Sequence, residues 1–210
     1  LQYLPADHPD RLSFLTNLGG ALHGRFGRTG NLDDIDRSIV LLTEAATSTP
    51  DSSPNKFRRL RNVAQTRRIR YDVTGDPHDA RLAAAAWTAA AAFTTDLAEL
   101  KGLLSMAARH HLRAYEVGGL ATDLAEAINV ARRGLEIEVG DPPGTAEILI
   151  TLAGALNDLF RSSEDVNDLN EAIGAFEKLL NLIPSNSPNF PVTLDNLSGA
   201  LKQRFRVTED

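Results

Sequence analysis

The side chains best suited to bind a ligand are the basic residues between positions 54 and 72. This segment carries one lysine and six arginines against a single aspartate, whereas the whole chain of 210 residues has a net charge of −6 at pH 7. On a helical wheel Arg58, Arg61 and Arg68 share one face. Because a guanidinium group presents paired donors that match a carboxylate, this spacing predicts a site for an acidic peptide or protein.

Further polar residues fall on the same predicted face once the internal repeats of the chain are aligned. The full set of candidate partner-binding residues is Asn17, Arg58, Arg61, Asn62, Arg68, Arg109 and Arg113. One alternative stays open, in which the basic face only pairs with acidic helices of the same protein and contributes little. Nucleic acid is not expected as a partner, because the chain is acidic and few aromatic residues flank its basic stripe.

Four aspartates recur in phase and raise the question of a metal site or acid–base catalysis. They are Asp34, Asp79, Asp123 and Asp168. Each falls in a different repeat, at least one helix diameter of about 8–10 Å from the next, so they cannot share one ion. We expect them in the first turn of a helix, where a carboxylate caps free N–H groups. The chain has no cysteine and no converging polar cluster, so the sequence predicts no catalytic residue, metal site, cofactor or enzyme activity.

The elements that carry these residues form a repeat of 44 to 45 residues. One aromatic residue closes the first half of each repeat, at Phe26, Tyr71, Tyr115, Phe160 and Phe205. Apolar residues at helical spacing follow each phased aspartate, which predicts two helices in each repeat. The predicted helices span about 9–28, 31–48, 54–73, 77–93, 97–117, 120–138, 143–161, 165–183 and 188–207.

Residues that end and begin helices stand at the predicted junctions. Gly30 and Gly75 fall where the first helix of a repeat ends, because glycine adopts the left-handed conformation there without steric cost. Asn31 and Asp165 align with Asp76, and side chains of these types cap helix N termini. The junctions therefore agree with a helix pair in each repeat.

The repeats divide the chain into a single array over residues 1–210. Residues 1–5 match the tail of a preceding repeat, and residues 185–210 match the first helix of a fifth. Between them lie repeats at about 6–50, 51–95, 96–139 and 140–184. Both ends therefore look cut from a longer array, and we expect self-association through these ends as one mode of interaction.

The residues of the helix pair resemble the tetratricopeptide repeat. The matching positions are Leu15, Leu18, Gly19 and Leu22 in the first helix and Ser38, Leu42, Ala45 and Pro50 in and after the second. With its long period the chain is similar to the variants in kinesin light chains, and to arrays beside nucleotide-binding switch domains or CHAT peptidase domains in fungal and bacterial proteins. Arg67 and His111 stand where Leu22 stands, which places the local packing of repeats two and three in doubt.

The resemblance implies both a fold and a mode of action. The implied fold is all-α, a right-handed superhelical α-solenoid of helix-turn-helix units, with a concave surface lined by the first helices. The implied function is a non-catalytic protein–protein interaction scaffold that binds a peptide or partner segment in the concave groove. The alternative is a regulatory or sensor arm of a larger multidomain protein, acting within its own chain.

Hydropathy argues against a membrane partner. The longest notable uncharged stretch, residues 82–95, falls short of the about 20 residues needed to span a bilayer. We therefore expect a cytoplasmic protein with no membrane-spanning helix.

Overall fold

The computed structural model describes Pro5 and residues 8–208. Within these residues the chain forms nine α-helices and no strand. They are α1 (Arg11–Thr29), α2 (Leu32–Thr47), α3 (Lys56–Thr74), α4 (Pro77–Ala91), α5 (Leu97–Gly118), α6 (Ala121–Leu135), α7 (Pro142–Ser163), α8 (Val166–Leu182) and α9 (Asn189–Thr208). The predicted all-α helical-repeat class is confirmed, and each helix begins and ends within about three residues of its predicted bounds. Of the tail predicted at residues 1–5, only Pro5 is among the described residues.

The helices fall into two compact units, Leu1–Thr95 with α1 to α4 and Asp96–Asp210 with α5 to α9. In the first unit α1 packs on α2, α2 on α3 and α3 on α4. In the second unit each helix from α5 to α8 packs on the next one. Contacts between neighbours in sequence are the packing pattern of a repeat protein.

The first helix of each repeat ends at a residue in the left-handed conformation. Gly30, Gly75 and Gly119 have φ values of 69°, 70° and 68°, and Glu164 takes the same place with φ of 56°. The backbone N–H of each donates to the carbonyl of the closing aromatic residue four positions earlier, as Gly30 does to Phe26 at 2.8 Å. The regular aromatic spacing therefore marks the last turn of the first helices.

Side-chain caps begin three of the four second helices. The side chains of Asn31, Asp76 and Asp165 accept hydrogen bonds from backbone N–H groups two residues later. Leu120 occupies the same position before α6 and provides no side-chain cap. These three caps lie at the positions that the sequence predicts.

The close packing of α1 on α2 depends on Gly19. A Cβ atom at this position would lie 2.7 Å from Cγ of Leu42. The Ser38 hydroxyl donates a 2.7 Å hydrogen bond to the Gly19 carbonyl from the facing helix. Small residues at these two positions let the helix backbones approach each other.

The phased aspartates of the first unit accept hydrogen bonds from arginines of the preceding helix. Arg25 donates to both carboxylate oxygens of the buried Asp34, with Nε to Oδ2 at 2.6 Å. Asp79 is fully buried, and Arg67 and Arg70 each donate to one of its oxygens at 2.9 Å. Both aspartates lie in the first turn of their helices, as expected, and the arginines are partners that the sequence did not predict.

The phased aspartates of the second unit also face side chains of the preceding helix. Asp123 is buried with its Oδ1 3.8 Å from Nδ1 of His111. Ser163 donates a 2.9 Å hydrogen bond to Asp168. His111 therefore stands beside the aspartate of its own repeat, as Arg67 does in the first unit.

Helix α9 exposes apolar residues at positions that are buried in the first and fourth repeats. Leu201 and Phe205 are 36% and 62% exposed, whereas the aligned Leu22 and Phe26 are 6% and 7% exposed. No second helix follows α9 among the described residues to cover this face. No helix in the described part of the chain is long and apolar enough to cross a membrane.

Candidate functional site

An open groove with a volume of about 480 Å³ lies on the surface of the first unit. Its lining comes mostly from successive turns of α3, with one residue from α4. The lining residues are Phe57, Arg58, Arg61, Asn62, Gln65 and Trp87. Residues spaced by three or four along a helix share a face, so the period of α3 places these side chains together.

Arg58 and Arg61 supply the positive charge of the groove, and both are exposed. Nη2 of Arg58 donates to the amide oxygen of Asn55 at 3.2 Å, which is a neutral acceptor one turn earlier. The Arg61 guanidinium lies over the ring of Phe57, 5.3 Å from its centroid. The aromatic contact orients the Arg61 side chain along the groove and leaves its charge in place.

Trp87 closes the groove from α4. Its side chain is 5% exposed, so most of the ring is buried in the first unit. Its indole Nε1 is buried and has no hydrogen-bond partner among the described residues. Because a buried indole N–H normally finds a partner, this nitrogen marks an unused donor in a residue that lines the groove.

Most of the other basic residues of α3 bind within the first unit. Nη1 of the buried Arg59 donates to the Thr49 hydroxyl at 2.5 Å, and burial lowers the pKa of Arg59. Lys56 donates to the Thr49 carbonyl at 2.8 Å and pairs with Asp51 at 3.1 Å. Together with Arg67 and Arg70 on Asp79, these residues follow the alternative in which the basic face pairs within the protein.

Arg68 also has a partner on its own helix and does not line the groove. Its Nη1 donates to the Asp72 carboxylate at 2.6 Å, and its Nε donates to Oε1 of Gln65 at 3.4 Å. Its charge helps to lower the pKa of His23, although burial of that ring is the larger cause. Arg68 therefore contacts the groove only through its hydrogen bond to the lining residue Gln65.

The structure brings Arg58, Arg61 and Asn62 together and places the remaining candidates elsewhere. Asn17 is exposed on α1 and is not a lining residue. Arg109 and Arg113 lie on α5 in the second unit, where both are half-buried. Arg109 donates to Sδ of Met106 at 2.7 Å.

Sequence reasoning missed the groove-lining roles of Phe57, Gln65 and Trp87. The spacing of Phe57 and Arg61 by four residues was a signal for the cation–π contact. The place of Trp87 depends on how α4 packs against α3, and the sequence of either helix alone does not contain it.

Within the described residues no group of three or more histidine, aspartate or glutamate side chains is placed to hold a metal ion. The groove presents two guanidinium groups, which only donate, and the side-chain amides of Asn62 and Gln65, which both donate and accept hydrogen bonds. Donors of this kind match carboxylate and carbonyl oxygens.

Comparison with known proteins finds similarity among solved structures only. No family model and no curated protein sequence matches the chain. The "DHF58 filament" is 17% identical, covers 94% of this chain and 97% of its own, and has a TM-score of 0.49. The "DHF119 filament" is 16% identical over 98% of both chains, with a TM-score of 0.41. The de novo designed helical repeat protein DHR64 is 18% identical over 95% of this chain and 82% of its own, with a TM-score of 0.25.

Proposed function

We propose that this chain is a non-catalytic interaction scaffold of the tetratricopeptide type, and that the groove on α3 binds an acidic segment of a partner protein. The observation that carries the proposal is the convergence of Arg58, Arg61 and Asn62 on one groove. A peptide offers the matching acceptors, namely side-chain carboxylates and backbone carbonyls.

The basic residues of α3 differ in their hydrogen-bond partners, and this difference supports an acidic ligand. Arg59, Arg67 and Arg70 are held by acceptors inside the first unit, whereas Arg58 bonds a neutral amide oxygen and is exposed. An ion pair at an exposed arginine contributes at most about 1 kcal/mol, and the paired N–H groups of Arg58 match a carboxylate better than they match the single amide oxygen of Asn55. A groove of about 480 Å³ also falls within the usual range for ligand sites.

The packing of α1 on α2 supports the tetratricopeptide type. Gly19 and Ser38 occupy positions where the resemblance requires small residues, and the Ser38 hydroxyl bonds the Gly19 carbonyl where a Cβ atom would collide with Leu42. The alternation of large and small side chains therefore has the physical role that the resemblance implies.

Random peptides displayed on phage provide a direct test with the full chain as bait. We expect selection to enrich peptides that contain aspartate or glutamate. Because Trp87 is the single tryptophan and lines the groove, its fluorescence should change as a selected peptide is titrated in. The affinity should fall as the salt concentration rises, since the attraction is between charges near the surface.

A pair of double variants separates the groove from a general charge effect. Arg58→Glu with Arg61→Glu should abolish binding of the selected peptides and leave the helical circular dichroism unchanged. Arg28→Glu with Arg133→Glu changes the net charge equally at exposed positions outside the groove and should leave binding nearly unchanged. Equal binding by the two double variants, or selection without acidic enrichment, would refute the proposal.

A further inference from the structure

A second, smaller pocket lies within the second unit, among α5, α7, α8 and α9. Its volume is about 230 Å³, below the range of about 300–1,000 Å³ for drug-sized ligands, so it suits a single side chain. Leu112 of α5, Ile150 of α7 and Phe176 of α8 contribute apolar lining. No residue of the groove on α3 takes part in it.

Two apolar residues that line the pocket are exposed to solvent, and a bound ligand would cover them. Ile150 and Val192 both line the pocket and are 39% and 59% exposed. Gly154 lies between them in the lining, and a Cβ atom there would meet only Cδ2 of Leu112, at 3.8 Å. The pocket can therefore accept an aliphatic chain without displacing a side chain.

Glu116 is the single charged residue among the described residues that line the pocket. Burial raises its pKa, the nearby Asp158 raises it further, and Arg113 only partly offsets them. Asp158 itself bonds Arg161 at 3.1 Å. Of these causes, the negative charge of Asp158 is the one that would also attract a cation placed beside Glu116, and the positive charge of Arg113 opposes it.

Two exposed amides stand on the α9 side of the pocket, Asn189 and Asn196. Neither makes a side-chain hydrogen bond among the described residues. Their amide oxygens accept hydrogen bonds, as does the Glu116 carboxylate. The pocket thus combines an apolar wall with one carboxylate and two amides whose oxygens can accept hydrogen bonds.

We propose that this pocket binds the side chain of a lysine from a partner peptide, with the alkyl stem against Leu112, Ile150 and Phe176 and the ammonium group at Glu116. A lysine side chain matches both halves of the pocket, because its four-carbon stem buries against apolar surface while its charged end stays near water. The ammonium group supplies donors only, which suits a lining of acceptors.

Three blocked tripeptides test the charge and the stem separately. They carry lysine, norleucine or glutamate between two glycines, and each is titrated into the isotopically labelled full chain at constant ionic strength. We expect saturable NMR shifts at the backbone amides of Gly154 and Asn196. The lysine peptide should bind about five-fold more tightly than the norleucine peptide, the gain typical of one partly exposed ion pair. The glutamate peptide should cause no saturable shift.

Variants of the pocket and of a matched surface position decide whether Glu116 is responsible. Glu116→Gln should equalise the affinities for the lysine and norleucine peptides. Glu126→Gln makes the same charge change at an exposed position on α6 and should keep the five-fold preference. Gly154→Leu should fill the pocket and remove binding of both peptides.

The outcomes also separate this site from the groove on α3. Arg58→Glu with Arg61→Glu should leave lysine binding intact, so either proposal can fail without the other. Equal binding of all three peptides, saturable shifts confined to residues outside the pocket, or a lysine preference retained by Glu116→Gln would each overturn the inference.

Discussion

Replacing Asp79 by alanine should destabilise the first unit severely. The Asp79 carboxylate is fully buried and accepts hydrogen bonds from Arg67 and Arg70, each at 2.9 Å. Removing one partner of a buried ion pair costs about 3–5 kcal/mol, because the remaining charge stays buried without compensation. Asp79→Ala therefore leaves a cationic pair facing an apolar methyl group.

The substitution affects the two arginines differently. Arg70 keeps its ion pair with Asp36, whose carboxylate lies 2.7 Å away. Arg67 has a side chain that is 17% exposed and keeps no other carboxylate partner among the described residues. We therefore place the loss at the lower end of the range, at about 3 kcal/mol. If the free energy of unfolding falls by about 2 kcal/mol for each molar of urea, the midpoint of unfolding should fall by about 1.5 M.

Urea unfolding followed by the fluorescence of Trp87 provides the assay. Trp87 is the single tryptophan of the chain and lies two turns after Asp79 on α4. Its signal therefore reports on the unit that carries the substitution. Asp33→Ala serves as the control, because Asp33 is an exposed residue in the first turn of α2. Its loss should cost no more than about 1 kcal/mol.

A double variant tests whether the stranded charge is the cause. Arg67→Leu restores the residue type found at the aligned Leu22. Adding it to Asp79→Ala should recover at least about 1 kcal/mol, because the stranded cation is replaced by an apolar side chain. A loss below about 1 kcal/mol for Asp79→Ala alone, or no recovery in the double variant, would refute this reasoning.

The remaining predictions concern backbone packing and pH. Gly19→Ala should lower the free energy of unfolding by about 1–3 kcal/mol through overpacking, whereas Gly20→Ala, which meets open space, should raise it by up to about 1 kcal/mol; urea titration of both checks the contrast. Glu164→Gly should raise it by about 0.5–1 kcal/mol, because φ of 56° strains a side-chain-bearing residue; an unchanged urea midpoint would contradict this. The hydrogen bond from Arg25 lowers the pKa of Asp34, so stability from this pair should be complete above the ordinary pKa of aspartate and lost as the pH falls through the lower folded value. Asp34→Asn should lack that step in unfolding curves recorded between neutral and strongly acidic pH.

The fold was predictable because its signals are local. The closing aromatics, the left-handed glycines and the capping residues each act within a few residues of the helix end that they mark. Gly30 and Asn31 alone place the junction of α1 and α2, through a φ of 69° and a side-chain cap. Such signals can be read from the sequence without knowing which helices pack together.

The partners of the phased aspartates were not predictable for the opposite reason. Arg67 and His111 interrupt an apolar position in the sequence, and that interruption alone says nothing about the facing helix. In the structure each lies beside the aspartate of its own repeat, at 2.9 Å for Arg67 and 3.8 Å for His111. A polar residue that interrupts the apolar face of the first helix is therefore explained only by the aspartate on the second helix that it contacts.

The candidate groove was predictable only in part. The helical period of α3 is enough to place Arg58, Arg61 and Asn62 on one face. Which arginines are held inside the unit depends on acceptors from outside α3, such as Thr49 and Asp79. A helical wheel of one segment contains none of those acceptors, so it cannot separate structural arginines from exposed ones.

The pairing of Asp34 and of Asp79 with arginines of their own repeats makes each of the first two repeats a self-contained electrostatic module. Asp79 and its two arginines lie on the same pair of helices, α3 and α4, and the bond from Arg70 to the preceding repeat reaches the half-exposed Asp36. A repeat that is duplicated or deleted as a block therefore carries its buried charge and its counter-charge together. Arrays built this way can change in length by whole repeats without stranding a buried ion at the new junction.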